Sequence, residues 1–150
     1  MPRLCKTPVM RATVVVIGFA LLLGACSGND ADPAAVLTDY QDARNSGDVD
    51  AVMAFYAEDA VVKDHPRDGD AKANGVDEIR ALEAQVPGIQ GSTGGIEFTD
   101  LVVSGNTVTF NHRFFNASGG CFGGLGGEVT VEDGNITLYD WGTQDPSQCG

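Results

Sequence analysis

His112 is an ionisable side chain in a mostly apolar stretch of the sequence. Val108, Phe110, His112 and Phe114 alternate with more polar residues and would share one face of a strand. An imidazole on an apolar face suits the wall of a pocket, where a carboxylate such as that of Asp64 could set its protonation state. It also suits a core histidine with hydrogen-bonded nitrogens, because buried polar groups normally have partners. The next residue, Arg113, should face the other way and meet acids at the surface.

Cys26 is the second chemically distinctive residue. It follows residues 23–25 (Leu-Gly-Ala), at the end of an uncharged, mostly apolar stretch that begins at residue 12 and is preceded by three basic residues and no acid. A basic start, a short apolar core and small residues before a cut are typical of a signal peptide. The stretch is shorter than the about 20 apolar residues of a membrane span. The pattern resembles a lipobox, the signal of bacterial lipoproteins. It implies removal of residues 1–25 and an exported protein, lipidated on Cys26 and held on the extracytoplasmic side of the cell membrane or envelope. An ordinary signal peptide followed by an incidental cysteine is the alternative.

Two further cysteines, Cys121 and Cys149, belong to the predicted mature chain. Disulfides persist outside the cytoplasm, so we expect these two to pair and to stabilise the fold by about 3–4 kcal/mol. Two unrelated free thiols are the alternative. The chain has only two histidines, and no Cys or His pair stands at zinc-ligand spacing. We therefore expect no metal and no cofactor.

The charge of the mature chain excludes one class of partner. Removing residues 1–25 takes three of the nine basic residues and none of the 21 acids, which leaves a formal charge of −15. Nucleic-acid binding through phosphates needs clustered Lys and Arg, so it is not expected. Anionic lipid would repel the chain, so lipid attached to Cys26 must supply the membrane contact.

The order of elements predicts one α+β domain. Asp32-Pro33 should begin a helix whose buried face includes Tyr40, and Asn45-Ser46-Gly47 should end it. Helices come first and antiparallel strands follow. Two more helices are predicted: a short one capped by Asp48, and one from Asn74 to about Val86 with Val76, Ile79, Leu82 and Val86 on one face. Strands are predicted at 60–64, 96–103, 107–116, 128–132 and 135–141, and Val62 and Asp64 share one face of the first. A polar loop is predicted at 64–74, and a loop or a bulged strand at 118–127.

The segment from Tyr40 to Pro66, YQDARNSGDVDAVMAFYAEDAVVKDHP, resembles the opening of the nuclear-transport-factor-2-like superfamily. That superfamily includes SnoaL-type polyketide cyclases and ketosteroid isomerases. Residues 75–79 (GVDEI) resemble the start of its third helix. The resemblance covers about residues 32–142. It implies a cone of three helices packed on a strongly curved, mostly antiparallel sheet, which encloses a pocket. The predicted organisation is a signal peptide at 1–25, a tether at 26–31 and this domain at 32–150.

The resemblance also implies a candidate site. Tyr40 and Asp64 fall on the positions that serve the isomerases as oxyanion donor and general base, two roles that enolisation of a ketone requires. The isomerases carry a second, protonated acid on a late strand. The equivalent position here is near Gly127, and the neighbouring Glu128 should face the opposite side. The predicted pocket lining is Tyr40, Val62, Asp64, Phe110, His112, Phe114 and Asp140.

Three functions are compatible with these patterns. The leading hypothesis is a lipid-anchored, non-catalytic envelope protein whose pocket binds a small apolar ligand or a protein partner, because the catalytic set is incomplete. The second is an isomerase or cyclase that uses Asp64 as base and Tyr40 as oxyanion donor. The third is a dimerising envelope scaffold that uses the exposed sheet face.

Overall fold

The structure is a computed structural model that describes residues 31–64, 71–85, 94–116 and 118–149. The predicted signal peptide and Cys26 lie outside these ranges. Within them, no helix is both long and apolar enough to cross a membrane. The helices are α1 (Pro33–Ser46), α2 (Val49–Met53) and α3 (Gly75–Glu83). The strands are β1 (Tyr56–Asp64), β2 (Ala71–Asn74), β3 (Gly95–Ser104), β4 (Thr107–Phe115), β5 (Cys121–Glu132), β6 (Asn135–Asp140) and β7 (Thr143–Gln144), and a 3₁₀ turn spans Pro146–Cys149.

One curved sheet contains all of these strands. Its order is β2-β1-β6-β5-β4-β3, and β7 pairs with β5. Every pairing is antiparallel except that of β1 with β6. The predicted α+β class, with helices packed on a curved and mostly antiparallel sheet, is confirmed. The helices and the inner face of the sheet enclose one apolar core.

Helix α1 begins and ends where the sequence predicts. The Asp32 carboxylate accepts a hydrogen bond from the Ala34 N–H at 3.0 Å, and Gly47 ends the helix with a φ of 79°. Two polar side chains of α1 then fix the edge strand β3. Asn45 bonds both the N–H and the C=O of Ile96, at 2.7 and 3.0 Å, and Gln41 accepts from the Phe98 N–H at 2.7 Å. Helix α1 thus lies along β3 in a defined register.

The third helix differs from its prediction. It ends at Glu83 rather than near Val86, and its buried residues are Ile79 and Glu83, whereas Val76 is exposed. Asn74 makes no side-chain cap. Its backbone N–H instead donates to the Glu78 carboxylate at 2.9 Å. Val86 lies outside the described ranges.

Strand β1 is longer than predicted, and strand β2 was not predicted. Strand β1 begins at Tyr56, four residues earlier than expected. Part of the predicted polar loop at 64–74 forms β2, because it pairs with β1 in a register that places Ala73 opposite Val62. Short strands of this kind depend on a partner, which sequence periodicity does not reveal.

For the glycine-rich residues 118–127 the sequence allowed either a loop or a bulged strand. In the structure residues 121–127 form the first half of β5. Gly124 lies opposite His112 and Gly127 lies opposite Phe110 in the β4–β5 register. A Cβ added at Gly124 would lie 2.3 Å from the nearest atom of the His112 ring. A Cβ added at Gly127 would lie 2.4 Å from the nearest atom of the Phe110 ring. Glycine at these positions makes room for rings on the inner, concave face of the sheet.

The predicted disulfide between Cys121 and Cys149 is present. It joins the first residue of β5 to the 3₁₀ turn, whose Gln148 packs over Gly123. The C-terminal segment is thereby fixed against β5.

Candidate functional site

Four polar side chains meet inside the domain, between the helices and the sheet. Tyr40 and Arg44 come from α1, Tyr56 from the start of β1 and Glu83 from the end of α3, and all are at most 5% exposed. We call these four residues the buried polar cluster. Arg44 follows Tyr40 by four residues, so both share the buried face of α1. Glu83 follows the buried Ile79 by the same interval on α3.

The four side chains form one connected network. The Tyr40 and Tyr56 hydroxyls each lie 2.8 Å from Oε1 of Glu83, and they lie 3.0 Å from each other. Arg44 Nη2 pairs with Oε2 of Glu83 at 3.0 Å, and its Nη1 donates to the Tyr40 hydroxyl at 3.3 Å. Buried charges need this combination of a counter-charge and hydrogen bonds, because removal from water is costly.

The hydroxyl proton of Tyr40 is committed within this network. Two hydroxyl groups supply two protons for three contacts. Either both donate to Glu83, or one donates to the other hydroxyl, which donates to Glu83. Burial raises the pKa of Tyr40 and of Tyr56 well above the usual value, so both stay protonated. In each arrangement the Tyr40 proton remains inside the cluster.

Aromatic rings extend from the cluster along the inner face of the sheet. The Arg44 guanidinium carbon lies 4.7 Å from the centre of the Trp141 ring and 5.5 Å from that of Phe114. These are cation–π distances, so the rings help to hold the charge. We call the following set the aromatic wall: Phe98, Phe110, Phe114, Tyr139 and Trp141, whose adjacent rings have centres 4.2–5.9 Å apart.

His112 lies within the aromatic wall. Its ring centre is 5.0 Å from that of Phe114 and 5.4 Å from that of Trp141. The side chain is 4% exposed, and its Nδ1 has no hydrogen-bond partner among the described residues. Burial, followed by the positive charge of Arg44, lowers the pKa of His112 to about 4. The imidazole is therefore neutral at neutral pH.

This geometry changes the expectation for His112. The sequence suggested a carboxylate, such as that of Asp64, as the charge that sets its protonation. The charge that acts on it in the structure is the cation of Arg44. Asp64 ends β1 and pairs with Ala71, and its side chain lies outside the described residues.

The remaining predicted pocket residues divide between two faces. Val62 is buried opposite Tyr139, so it belongs to the interior with Phe110 and Phe114. Asp140 differs from its prediction. It neighbours Tyr139 on β6 and thus lies on the other face, where its carboxylate accepts from the Gly142 N–H at 2.9 Å.

The position that corresponds to the second acid of the isomerases carries no carboxylate here. Gly127 lies under the Phe110 ring. Glu128 pairs with Asp140 across β5 and β6, on the face opposite the buried Val129. Arg113 pairs with Glu97 at 3.0 Å at the surface, as predicted.

At one end of the sheet the wall continues towards solvent. Phe122 pairs with Phe114 across β4 and β5 and is 57% exposed. Phe114 itself is half-buried. Aromatic surface therefore runs from the buried polar cluster through His112 and Phe114 to the exterior.

Sequence reasoning missed Arg44, Tyr56 and Glu83. For Arg44 and Glu83 a signal was present, because opposite charges at buried-face positions of two helices indicate an internal ion pair. Within the ranges described, no group of three His, Cys, Asp or Glu side chains could hold a metal ion.

Comparison with known proteins extends these observations. The model of the SnoaL-like domain matches residues 37–139. No curated protein matches the chain in sequence.

Solved structures share the fold at low identity. The Δ5-3-ketosteroid isomerase from Mycobacterium sp. is 20% identical, with 73% of this chain and 92% of that chain covered and a TM-score of 0.59. SalBIII, an epoxide hydrolase/cyclase-like enzyme with a role in pyran ring formation in the polyether salinomycin, is 17% identical, with 77% and 92% covered and a TM-score of 0.62. An NTF2-like protein of unknown function from Mesorhizobium loti is 21% identical, with 79% and 93% covered and a TM-score of 0.62.

Proposed function

Because the chain belongs to the SnoaL-like domain family, whose model spans residues 37–139, we propose that it uses the pocket-forming fold for binding rather than catalysis. Its ligand is a small, mostly apolar molecule held against the aromatic wall. The protein acts on the outer side of the cell membrane, where lipid on Cys26 holds it.

The observation that carries the proposal is the engagement of Tyr40. An isomerase-like mechanism needs a hydroxyl that donates to the oxyanion of the substrate. The Tyr40 hydroxyl lies 2.8 Å from Glu83 and 3.0 Å from Tyr56, and its proton stays among these groups. The group that the resemblance assigns to oxyanion stabilisation is thus part of a structural network.

The interior favours a neutral ligand with one polar group. Ring faces contribute apolar contact, and stacking adds to the energy of burial. The charges of Arg44 and Glu83 compensate each other at 3.0 Å, so they do not call for a charged ligand. Nδ1 of the neutral His112 and the Tyr139 hydroxyl are buried polar atoms without a partner among the described residues, and a polar group on the ligand could pair with either.

Two features support the location. The lipobox-like segment before Cys26 implies export and lipidation. The disulfide between Cys121 and Cys149 fits an oxidising compartment outside the cytoplasm.

Fluorescence of Trp141, the single tryptophan, tests ligand binding. A soluble form that begins at Ser27 is titrated with steroid enones and planar aromatic ketones. We expect saturable changes, because Trp141 lies 4.9 Å from Phe114 and 5.4 Å from His112 between ring centres. His112→Phe keeps a ring but removes the nitrogens, and it should weaken binding of a ketone by roughly 5- to 30-fold, or about 1–2 kcal/mol.

The catalytic alternative is tested with the same protein. A Δ5-3-ketosteroid is supplied and formation of the conjugated enone is followed by absorbance. We expect no turnover, and we expect wild type and Asp64→Asn to bind ligands alike. Turnover that Asp64→Asn abolishes would overturn the binding proposal in favour of proton transfer.

Lipidation is tested by metabolic labelling with an alkyne fatty acid. The full-length protein should take up label and partition into the membrane fraction, and Cys26→Ser should do neither. Equal labelling of both forms would contradict the anchor.

A further inference from the structure

Three consecutive apolar residues are exposed at the end of edge strand β3. Leu101, Val102 and Val103 have 37%, 61% and 48% of their surface exposed. We call these three residues the β3 patch. A regular strand would turn alternate side chains inward. Here the register shifts between Thr99 and Val102, and Asp100 adopts a φ of 55°.

The shift leaves apolar side chains on both faces of the strand end. Val103 pairs with the buried Val108, so it points to the inner side of the sheet and remains half exposed at the edge. Val102 pairs with Thr109 on the other side. The patch therefore forms an apolar ridge beside the β3–β4 turn. Exposed apolar edge strands invite association, so what covers this one needs an explanation.

The beginning of the described chain lies at the same end of the domain. A surface groove is lined by Ala31, Asp32 and Pro33 at the start of α1, by Gly105 and Asn106 of the β3–β4 turn, and by residues 131–134 of the β5–β6 turn. Gly105 follows Val103 by two residues. The C=O of Asn106 accepts from the Val131 N–H at 2.9 Å, which joins the two turns.

Only residues 27–31 separate Cys26 from Asp32, the residue that caps α1. Five residues span at most about 16–18 Å when fully extended. A lipid on Cys26 thus brings the groove, and with it the β3–β4 turn, close to the bilayer surface. We propose that the β3 patch is a membrane-contact surface that enters the boundary between headgroups and acyl chains. This inference rests on the lipid anchor of the proposed function.

The chemistry of the surroundings selects the type of lipid surface. Asp32, Asp100, Glu132 and Asp133 are exposed at this end of the domain. Anionic headgroups would repel these carboxylates. The patch therefore binds through apolar contact and prefers a zwitterionic bilayer. Its binding to the bilayer depends little on salt concentration.

A site-specific fluorophore tests the contact in the lipidated full-length protein. A polarity-sensitive dye is attached to Val102→Cys, or in a matched control to Asp42→Cys, and the protein is reconstituted into phosphatidylcholine vesicles. Asp42 is exposed on α1, nine residues beyond Pro33 and thus about 14 Å along the helix from the groove. We expect a blue shift and quenching by acyl-chain spin-labelled lipid at position 102, and neither at position 42.

A second measurement uses the same vesicles. Val102→Ser together with Val103→Ser should accelerate transfer of the protein between vesicles by about tenfold or more, because apolar burial no longer slows its release. Asp42→Ser should leave the rate unchanged.

The outcomes separate the two proposals. Equal signals at both labelled positions, with the protein still bound to vesicles, would overturn the patch and leave the anchor intact. A blue shift at position 102 without lipid quenching would also overturn it, since a second copy of the chain would then cover the patch. Failure of the protein to float with vesicles would overturn the anchor and, with it, this inference.

Discussion

Replacing Glu83 by Gln should be among the most damaging conservative changes in this domain. Glu83 accepts from two tyrosine hydroxyls at 2.8 Å and pairs with Arg44 at 3.0 Å. The amide oxygen of Gln can still accept from the tyrosines, so the change removes mainly the charge. Arg44 would remain charged at 3% exposure, because a guanidinium does not lose its proton in a protein.

The expected loss in the free energy of unfolding is about 3–5 kcal/mol, the range for breaking a buried ion pair from one side. That is a large share of the roughly 5–15 kcal/mol that is usual for a domain. Arg44→Met should cost less, about 2–3 kcal/mol, because two tyrosine hydroxyls still donate to the carboxylate left behind. The double variant, Glu83→Gln with Arg44→Met, removes both charges. The double variant should lose less free energy of unfolding than the two single variants together, by about 2 kcal/mol or more.

Urea denaturation at pH 7, followed by far-ultraviolet circular dichroism, measures these values. Glu97→Gln is the matched control, because Glu97 pairs with Arg113 at 3.0 Å but is about half exposed. Its loss should stay below about 1 kcal/mol, as for other surface pairs. The reasoning is refuted if Glu83→Gln loses no more than Glu97→Gln, or if the two changes in the cluster are additive.

Three further changes test other parts of the structure. Replacing Cys121 and Cys149 by Ala should lower the free energy of unfolding by about 3–4 kcal/mol, and reduction of wild type should have the same effect in denaturation experiments; no change on reduction would contradict this. His112 has a folded pKa lowered to about 4, so the unfolded chain binds the proton first and stability falls as the pH drops from about 6.5 towards 4. Between pH 6.5 and 4, the free energy of unfolding should change less steeply with pH in His112→Gln than in wild type, by up to about 1.4 kcal/mol per pH unit. Equal slopes in the two proteins would show that protonation of His112 does not cause the loss. Gly124→Ala places a Cβ 2.3 Å from the His112 ring and should cost about 1–3 kcal/mol, a loss that must shrink when His112 is also reduced to Ala.

Local chemistry made most of the fold predictable. Asp32 caps α1 and Gly47 ends it, and both features are visible in the sequence. The alternation along β4 identified its buried face correctly. The first half of β5 was harder, because glycine carries no side chain from which a strand period can be recognised. Its glycines make sense only once the rings of His112 and Phe110 lie opposite them.

The candidate site was only partly predictable. Tyr40 was placed inside correctly from helical spacing, and it is fully buried. Arg44 and Glu83 were passed over because charged residues on helices usually face water. Their burial depends on each other and on two tyrosines from distant parts of the chain. No single helix contains that information.

The position of Glu83 explains why the fold of this family does not determine its chemistry. A tyrosine on the first helix can donate to a substrate only if its hydroxyl proton is uncommitted. Here α3 brings a carboxylate within 2.8 Å of that hydroxyl, and Arg44 neutralises the carboxylate. With that proton committed and His112 held neutral by burial and by Arg44, the interior offers ring faces and two polar atoms without a partner among the described residues, Nδ1 of His112 and the Tyr139 hydroxyl. The ligand that we propose is therefore neutral and would be recognised by its shape and by hydrogen bonds to these atoms. Its affinity should therefore stay constant from about pH 5 to pH 8, because the imidazole of His112 stays neutral across that range.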